Sequence, residues 1–233
     1  YAAVDHCVFI HTNHKQITGA LVAKYALKRN SPNADKFDVQ IIDTADYPWL
    51  QEHEGRMYLR DGVQRVWLND DLQSFTPLRF MPPKLMGYQG RAVVIDPDIF
   101  AVGDIWELLS RDMEDKAVMC RMRSGPKGYI DKCMASSVML LDCAKLRHWD
   151  AEQGFREMFE FKRDYQPWIC LKLEDRESIG FFEPEWNDFD RLTRQTKMLH
   201  NTRRRTQPWK TGLPTDWRPA ERFRLFPPVA WAM

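Results

Sequence analysis

No run in this sequence stays apolar for the ~18 residues that a membrane-spanning helix requires, so nothing in it reads as a transmembrane segment. Charge of one sign is also missing. The 34 Lys and Arg are balanced by 33 Asp and Glu, a net of +1, which removes the global electrostatic case for a nucleic-acid binder. There is no internal repeat, no low-complexity tract and no recognisable secretory signal. The five cysteines are odd in number and contain no Cys-x-x-Cys pair, which argues against a zinc site or a disulfide framework. Free thiols in a reducing compartment are the expectation. With them goes a cytoplasmic location, contact with the inner face of a membrane being left open. The chain starts at Tyr1 and reads as trimmed or cut from a longer protein.

What is present is a core. Hydrophobic residues make up 44% of 233, enough for one large domain. "DHCVFIH" (5–11), "FDVQIID" (37–43) and "RAVVI" (91–95) read as buried strands. "RVWL", "KAVMCRM" and "SSVMLLD" read as further ones. Between the first two, Ile17, Ala20, Leu21, Ala23 and Leu27 recur at helical spacing. A helical stretch is expected near Asp70–Leu78, interrupted by Pro77, Pro82 and Pro83. Strands alternating with helices predict an α/β sheet, mixed and mostly parallel. From Trp186 onward the pattern loses its period and predicts ordered loops laid over the domain. The segment Arg191–Arg224 holds ten Lys/Arg and two Asp/Glu, a local excess of about eight positive charges that suits an anionic ligand.

The strand ending at Ile95 runs into Asp96-Pro97-Asp98. In open α/β sheets, ligands gather at the carboxyl ends of strands. Residues i and i+2 of extended chain point the same way, so both carboxylates can face one site. Crowded carboxylates repel unless a cation lies between them, and hard oxygen ligands suit Mg²⁺ or Mn²⁺. The plain alternative is an ordinary turn, since Asp and Pro are both turn formers.

The surroundings favour the site. "VVIDPDIFAVGDIWELL" resembles the D-x-D segment of family 8 (glycogenin-like) glycosyltransferases: an apolar strand, D-x-D, a few apolar residues, G-D and a helix. "HTNHKQITGALV" (11–22) is similar to that family's T-N…G-A-L opening, and "LRFMPPKL" (78–85) to its R-x-x-x-P-x-L helix. "SSVMLLD" (136–142) resembles N-S-G-V-x-L, "FEPEWND" (182–188) resembles L-P-x-x-W-N, and "LHNTRRRTQPWKTG" (199–212) resembles H-x-x-G-x-x-K-P-W. The matches fall in order from about Val8 to Gly212.

The resemblance implies a GT-A fold and transfer of a sugar, with retention, from a nucleoside diphosphate sugar, UDP-hexose above all. The acceptor, whether carbohydrate, lipid-linked or protein, is unspecified, as is the oligomeric state. Asp96, Asp98 and His200 would hold Mn²⁺ or Mg²⁺, and Thr12 and Asn13 would meet the nucleoside. Arg79 would lie near the diphosphate or donor sugar, and the segment from residue 199 would close the donor site. The family's Lys before Pro-Trp, a phosphate contact, is Gln207 here, so Arg203, Arg204, Arg205 or Lys210 is expected to supply the charge. His14 and Gln16 replace the family's Asp and Tyr after T-N, and Ala135 replaces the Asn of N-S-G. The family's D-Q-x-x-L-N corresponds to "RDYQPWIC", which puts Asp164 or Gln166 near the anomeric carbon.

Other functional classes fit less well. A haloacid-dehalogenase phosphotransferase lacks its remaining motifs here, and a sugar nucleotidyltransferase lacks its glycine-rich loop. A degenerate sugar-nucleotide-binding or scaffold protein remains the alternative, on the changes at Ala135, Tyr165 and Gln207. In the tail, Trp217, Phe223, Phe226 and Trp231 with their neighbouring arginines suit either an anionic membrane surface or packing on the domain.

Overall fold

The computed structural model describes residues 5–125 and 128–210. The tail aromatics Trp217, Phe223, Phe226 and Trp231 lie outside the described residues.

The fold starts from three apolar strands. β1 (His6–Thr12) pairs in parallel with β2 (Asp38–Asp43), and α1 (Ile17–Arg29) forms the crossover between them. A short helix α2 (Pro48–Gln51) leads to a hairpin of β3 (Met57–Arg60) and β4 (Val63–Val66). The hairpin turn is Asp61-Gly62, both at positive φ (53° and 70°), the type I′ geometry that matches strand twist. The expected helical stretch exists as a 3-10 helix, Leu72–Phe80, which carries Pro77 and runs into α3 (Pro82–Leu85). β5 (Arg91–Ile95) returns beside β1, again in parallel.

After β5 come β6 (Ile99–Ala101) and α4 (Trp106–Leu109), then the antiparallel pair β7 (Val118–Gly125) and β8 (Gly128–Asp142). α5 (Ala151–Phe159), α6 (Tyr165–Ile169) and β9 (Ile179–Phe181) come next. The central sheet has six strands in the order β2-β1-β5-β8-β7-β9, with three parallel and two antiparallel neighbours. The segment after Trp186 is more regular than the sequence suggested. β10 (Asp188–Phe189) and β11 (Met198–His200) form a small second sheet with β6.

Both faces of the central sheet are buried, which is why its strands read as unbroken apolar runs rather than alternating ones. Cys7, Phe9, Ala92 and Val94 face a core built with Trp49, Trp67, Phe80, Phe155 and Trp168. Val8, Ile10, Val93 and Ile95 face the other core, built with Ala20, Ala23, Leu27, Ile105 and Leu108. Among the described residues, no helix is long and apolar enough to cross a membrane.

The expectation of free thiols is corrected at one pair. Cys7, Cys120 and Cys143 are free and buried, but Cys133 and Cys170 form a disulfide. The fold causes this: the Met134 amide donates to the Cys170 carbonyl at 3.2 Å, which lays the middle of β8 against the end of α6. A spacing of 37 residues carries no motif that would reveal the pairing. Disulfides persist mainly in oxidising compartments, so the cysteines no longer support a reducing one. Cys133→Ser with Cys170→Ser is expected to lower stability by about 2–4 kcal/mol, from the freedom returned to the unfolded chain. Denaturant melts of the double variant and of the oxidised parent would measure it, and equal midpoints would show that the bond contributes nothing.

Candidate functional site

The carboxyl ends of β1 and β5 open onto one cleft, and the residues there come from five separate parts of the chain. Asp96 and Asp98 lie just past the end of β5, and His200 ends β11. A carboxylate oxygen from each aspartate and a ring nitrogen of His200 lie within 4.8 Å of one another. Gly19 lets the first turn of α1 approach this loop. A Cβ there would sit 2.5 Å from the Pro97 carbonyl oxygen.

Asp96 is buried and firmly held. Arg79 grips it with Nη2 at 2.7 Å from Oδ2 and 2.8 Å from Oδ1, and with Nε at 3.0 Å from Oδ1. His11 Nε2 lies 2.7 Å from the same Oδ1. A carboxylate only accepts, so the His11 proton sits on Nε2, and buried Nδ1 has no hydrogen-bond partner. Burial keeps His11 neutral, pushing its pKa down more strongly than Asp96 raises it. For Asp96, burial opposes ionisation, but the Arg79 guanidinium and the His11 hydrogen bond outweigh it and hold the carboxyl well below the usual range.

Asp98 is held differently. Gln207 Nε2 donates to its Oδ2 at 2.9 Å and also to the Asn201 carbonyl. Asp98 Oδ1 is buried with no hydrogen-bond partner, yet His200 Nε2 lies 3.3 Å away. The tautomer explains why. Asn187 donates from Nδ2 to Ser137 Oγ at 2.9 Å, which leaves its Oδ1 to accept from His200 Nδ1 at 3.0 Å. With the proton on Nδ1, His200 turns the lone pair of Nε2 toward an oxygen that can only accept. A cation shared by these two atoms, a proton or a metal ion, would satisfy both. Burial works against a charged His200, but the Asp98 carboxylate overcomes it and raises the pKa. The donor set of two carboxylates and one imidazole therefore fits a divalent ion.

β8 contributes through an irregularity. Cys120 pairs with Met139 but Arg121 pairs with Ala135, so Ser136, Ser137 and Val138 have no opposite number on β7. Ser136 Oγ accepts from Arg79 Nη1 at 2.9 Å, and Ser137 Oγ accepts from Asn187.

Two cavities meet at Arg79, Asp96, His200 and Thr202. One, of about 250 Å³, is bounded by Gln16, Arg60, Gln73, Thr76, Asp98 and Tyr165. The other, of about 220 Å³, is bounded by Cys133, Ala135, Ser136, Gln166, Ile169 and Phe189.

The remaining sequence candidates divide. Gln166 lines the second cavity, with Nε2 3.4 Å from Cys170 Sγ. Asp164 does not join it. Its carboxylate caps α6 through the Gln166 amide and accepts from the Asp61 and Gly62 amides at 2.9 and 2.7 Å. It is tied to the β3–β4 turn and borders neither cavity. Thr12 and Asn13 are buried and border neither cavity. Thr12 Oγ1 donates to the Asn13 carbonyl, and Asn13 Nδ2 donates to Ser74 Oγ. Asn13 Oδ1 accepts from the Lys15 and Gln16 amides, an Asx turn that leads into α1 and leaves Gln16 to line the cavity. Arg205 is exposed and borders neither cavity, while Lys210 is buried. His11 and Asn187 carry no sequence signal as site residues, and for Arg60 the signal is the Asp61-Gly62 turn that follows it.

The sequence matches no protein-family model and no curated protein. The fold does have solved neighbours. LgtC, a galactosyltransferase solved with donor and acceptor sugar analogues, superposes with a TM-score of 0.57 at 14% identity, over 84% of this chain and 87% of that one. The glycosyltransferase GlyE of Streptococcus pneumoniae gives 0.56 at 15% identity, over 87% of this chain and 55% of that one. The bifunctional WbbM gives 0.58 at 14% identity, over 88% and 46%. The chain thus spans about half the length of GlyE and of WbbM. At these identities the likeness establishes the fold: a mixed, mostly parallel α/β sheet of the GT-A glycosyltransferase type.

Proposed function

We propose that this chain is a glycosyltransferase that moves a sugar from a nucleoside diphosphate sugar, UDP-hexose first among them, to a carbohydrate-bearing acceptor. The observation that carries the reading is the convergence of Asp96, Asp98 and His200, one possible ligand atom from each within 4.8 Å of the others, at the carboxyl end of a parallel strand. Asp96, Asp98 and His200 would hold Mn²⁺ or Mg²⁺, which supplies Lewis-acid stabilisation of a departing diphosphate.

The residues divide the work. Arg79 and His11 keep Asp96 ionised and fixed, and Gln207 and Asn187 orient Asp98 and His200. The cavity beside Gln16, Gln73 and Thr76 would receive the nucleotide, and that beside Gln166 and Ala135 the sugar. Among the described residues bordering the Gln166 cavity, Asp96 is the one carboxylate, and Arg79 already holds it. This favours retention by same-face transfer, with Gln166 as a neutral polar group near the anomeric carbon rather than an acidic nucleophile. A neighbouring structure of LgtC is described as an active-site mutant with Gln changed to Glu, which agrees with a glutamine in that role. Gln207 reaching Asp98 supports the segment from residue 199 as the closure of the donor site.

The test is a panel of UDP-, GDP- and ADP-hexoses with Mn²⁺, read by released nucleoside diphosphate and by melting temperature. Slow release from a UDP-sugar, abolished by a chelator, is expected. UDP should raise the melting temperature more than GDP or ADP, since a ligand bound only to the native state stabilises it by mass action. Stabilisation by UDP without turnover of any donor would favour the scaffold alternative. Neither effect with any nucleotide would end the donor-site reading.

A further inference from the structure

The cavity that holds the D-x-D pair contains a cation that no other residue of the site neutralises. Arg60 is the last residue of β3 and borders that cavity together with Asp96, Asp98 and His200. Its guanidinium lies 4.7 Å from the centre of the Tyr165 ring. Its Nε is buried with no hydrogen-bond partner. Its neighbours are the phenol of Tyr58, which it hydrogen-bonds, the phenol of Tyr165 and the carboxylate of Asp61, and among the described residues it forms no ion pair. The other charges of the cavity are matched, Arg79 by Asp96 and His200 by Asp98.

The side chain is also aimed. Tyr165 is fixed by its phenol, which lies 2.7 Å from Thr76 Oγ1, and so gives the guanidinium a rigid surface to stack on. The hairpin behind Arg60 is latched at its turn by Asp164, the residue that caps the helix carrying Gln166. Asp164 thereby becomes a positioning residue for Arg60. A planar fork held in this way, with a buried Nε left without a partner and a cation site bordering the same cavity, suits oxygen anions.

We propose that Arg60 anchors an anionic group of the nucleotide donor, either a phosphate of its diphosphate or a carboxylate on its sugar. This rests on the donor-site reading proposed for the cleft. It also restores electrical balance. With a dication bound, Arg60 and Arg79 set against Asp96 and Asp98 leave a surplus of two positive charges, which equals the two negative charges of a diphosphate diester.

The test is calorimetric titration of the parent, Arg60→Gln and Arg60→Lys with UDP, UDP-glucose and UDP-glucuronate, each with Mn²⁺. Arg60→Gln is expected to weaken binding about ten- to a hundredfold, the range for losing a charged hydrogen bond. Arg60→Lys keeps the charge but not the fork and should fall between. A loss common to all three ligands assigns Arg60 to the diphosphate. A loss confined to UDP-glucuronate assigns it to a carboxylate on the sugar. Parent-like affinity of Arg60→Lys and Arg60→Gln for every ligand would overturn the proposal while leaving the donor site intact. A parent protein that binds none of the three would overturn both.

Discussion

Asp98→Asn is expected to abolish cation-dependent nucleotide binding without harming the fold. The change keeps the size of the side chain and removes one ligand charge. Gln207 can still donate to the remaining oxygen, and the new amide can donate to His200 Nε2, which in the parent lies beside a carboxylate oxygen. The ligand-free melting temperature should therefore hold or rise. Affinity for UDP with Mn²⁺ should fall at least about 100-fold, because even the outer partners of metal ligands are worth 10- to 100-fold. Melting curves with and without UDP and Mn²⁺ read both quantities at once. A parent-like shift on adding the pair would remove Asp98 from the site. A collapsed ligand-free melting temperature would instead make Asp98 a structural group.

The parts of this site that the sequence revealed are those set by strand ends. β1 and β5 are buried on both faces, so their apolar runs are conspicuous, and the residues just past each run fall at the cleft. Asp96 and Asp98 are found in this way, and the ordered series of weak matches leads to His200. Neighbours in sequence can part company in space. Asp164 and Gln166 are two residues apart, but one caps the helix toward a hairpin and the other points into a cavity. Nothing in the sequence separates those two fates. His11 is the converse case: a polar residue closing an apolar strand, with a partner 85 residues away. The hairpin was within reach. Asp61-Gly62 is a strong two-residue turn signal, and reading it would have brought Arg60 to the end of a strand. The disulfide was not, because only the packing of β8 on α6 brings Cys133 to Cys170.

Arg79→Met should produce the largest loss of stability. In the parent, Arg79 is the chief compensation for a carboxylate that burial alone would not allow to ionise. Met keeps the length and apolar volume of the side chain but leaves Asp96 with His11 as its hydrogen-bonding partner. Removing one partner of a buried ion pair typically costs about 3–5 kcal/mol, because the surviving charge is stranded. For a domain of this size that corresponds to a fall in melting temperature on the order of 10 °C. A second substitution separates the cost of the stranded charge from that of lost packing. Asp96→Leu in the same chain as Arg79→Met removes that charge, and replacing a whole buried pair with apolar residues is often neutral. The double variant should therefore be more stable than Arg79→Met alone, with a coupling of about 2–3 kcal/mol in a double-mutant cycle. Additive losses would show that Arg79 and Asp96 are independent in the folded state. The ion pair would then hold the D-x-D loop in place for the ligand and contribute nothing to folding.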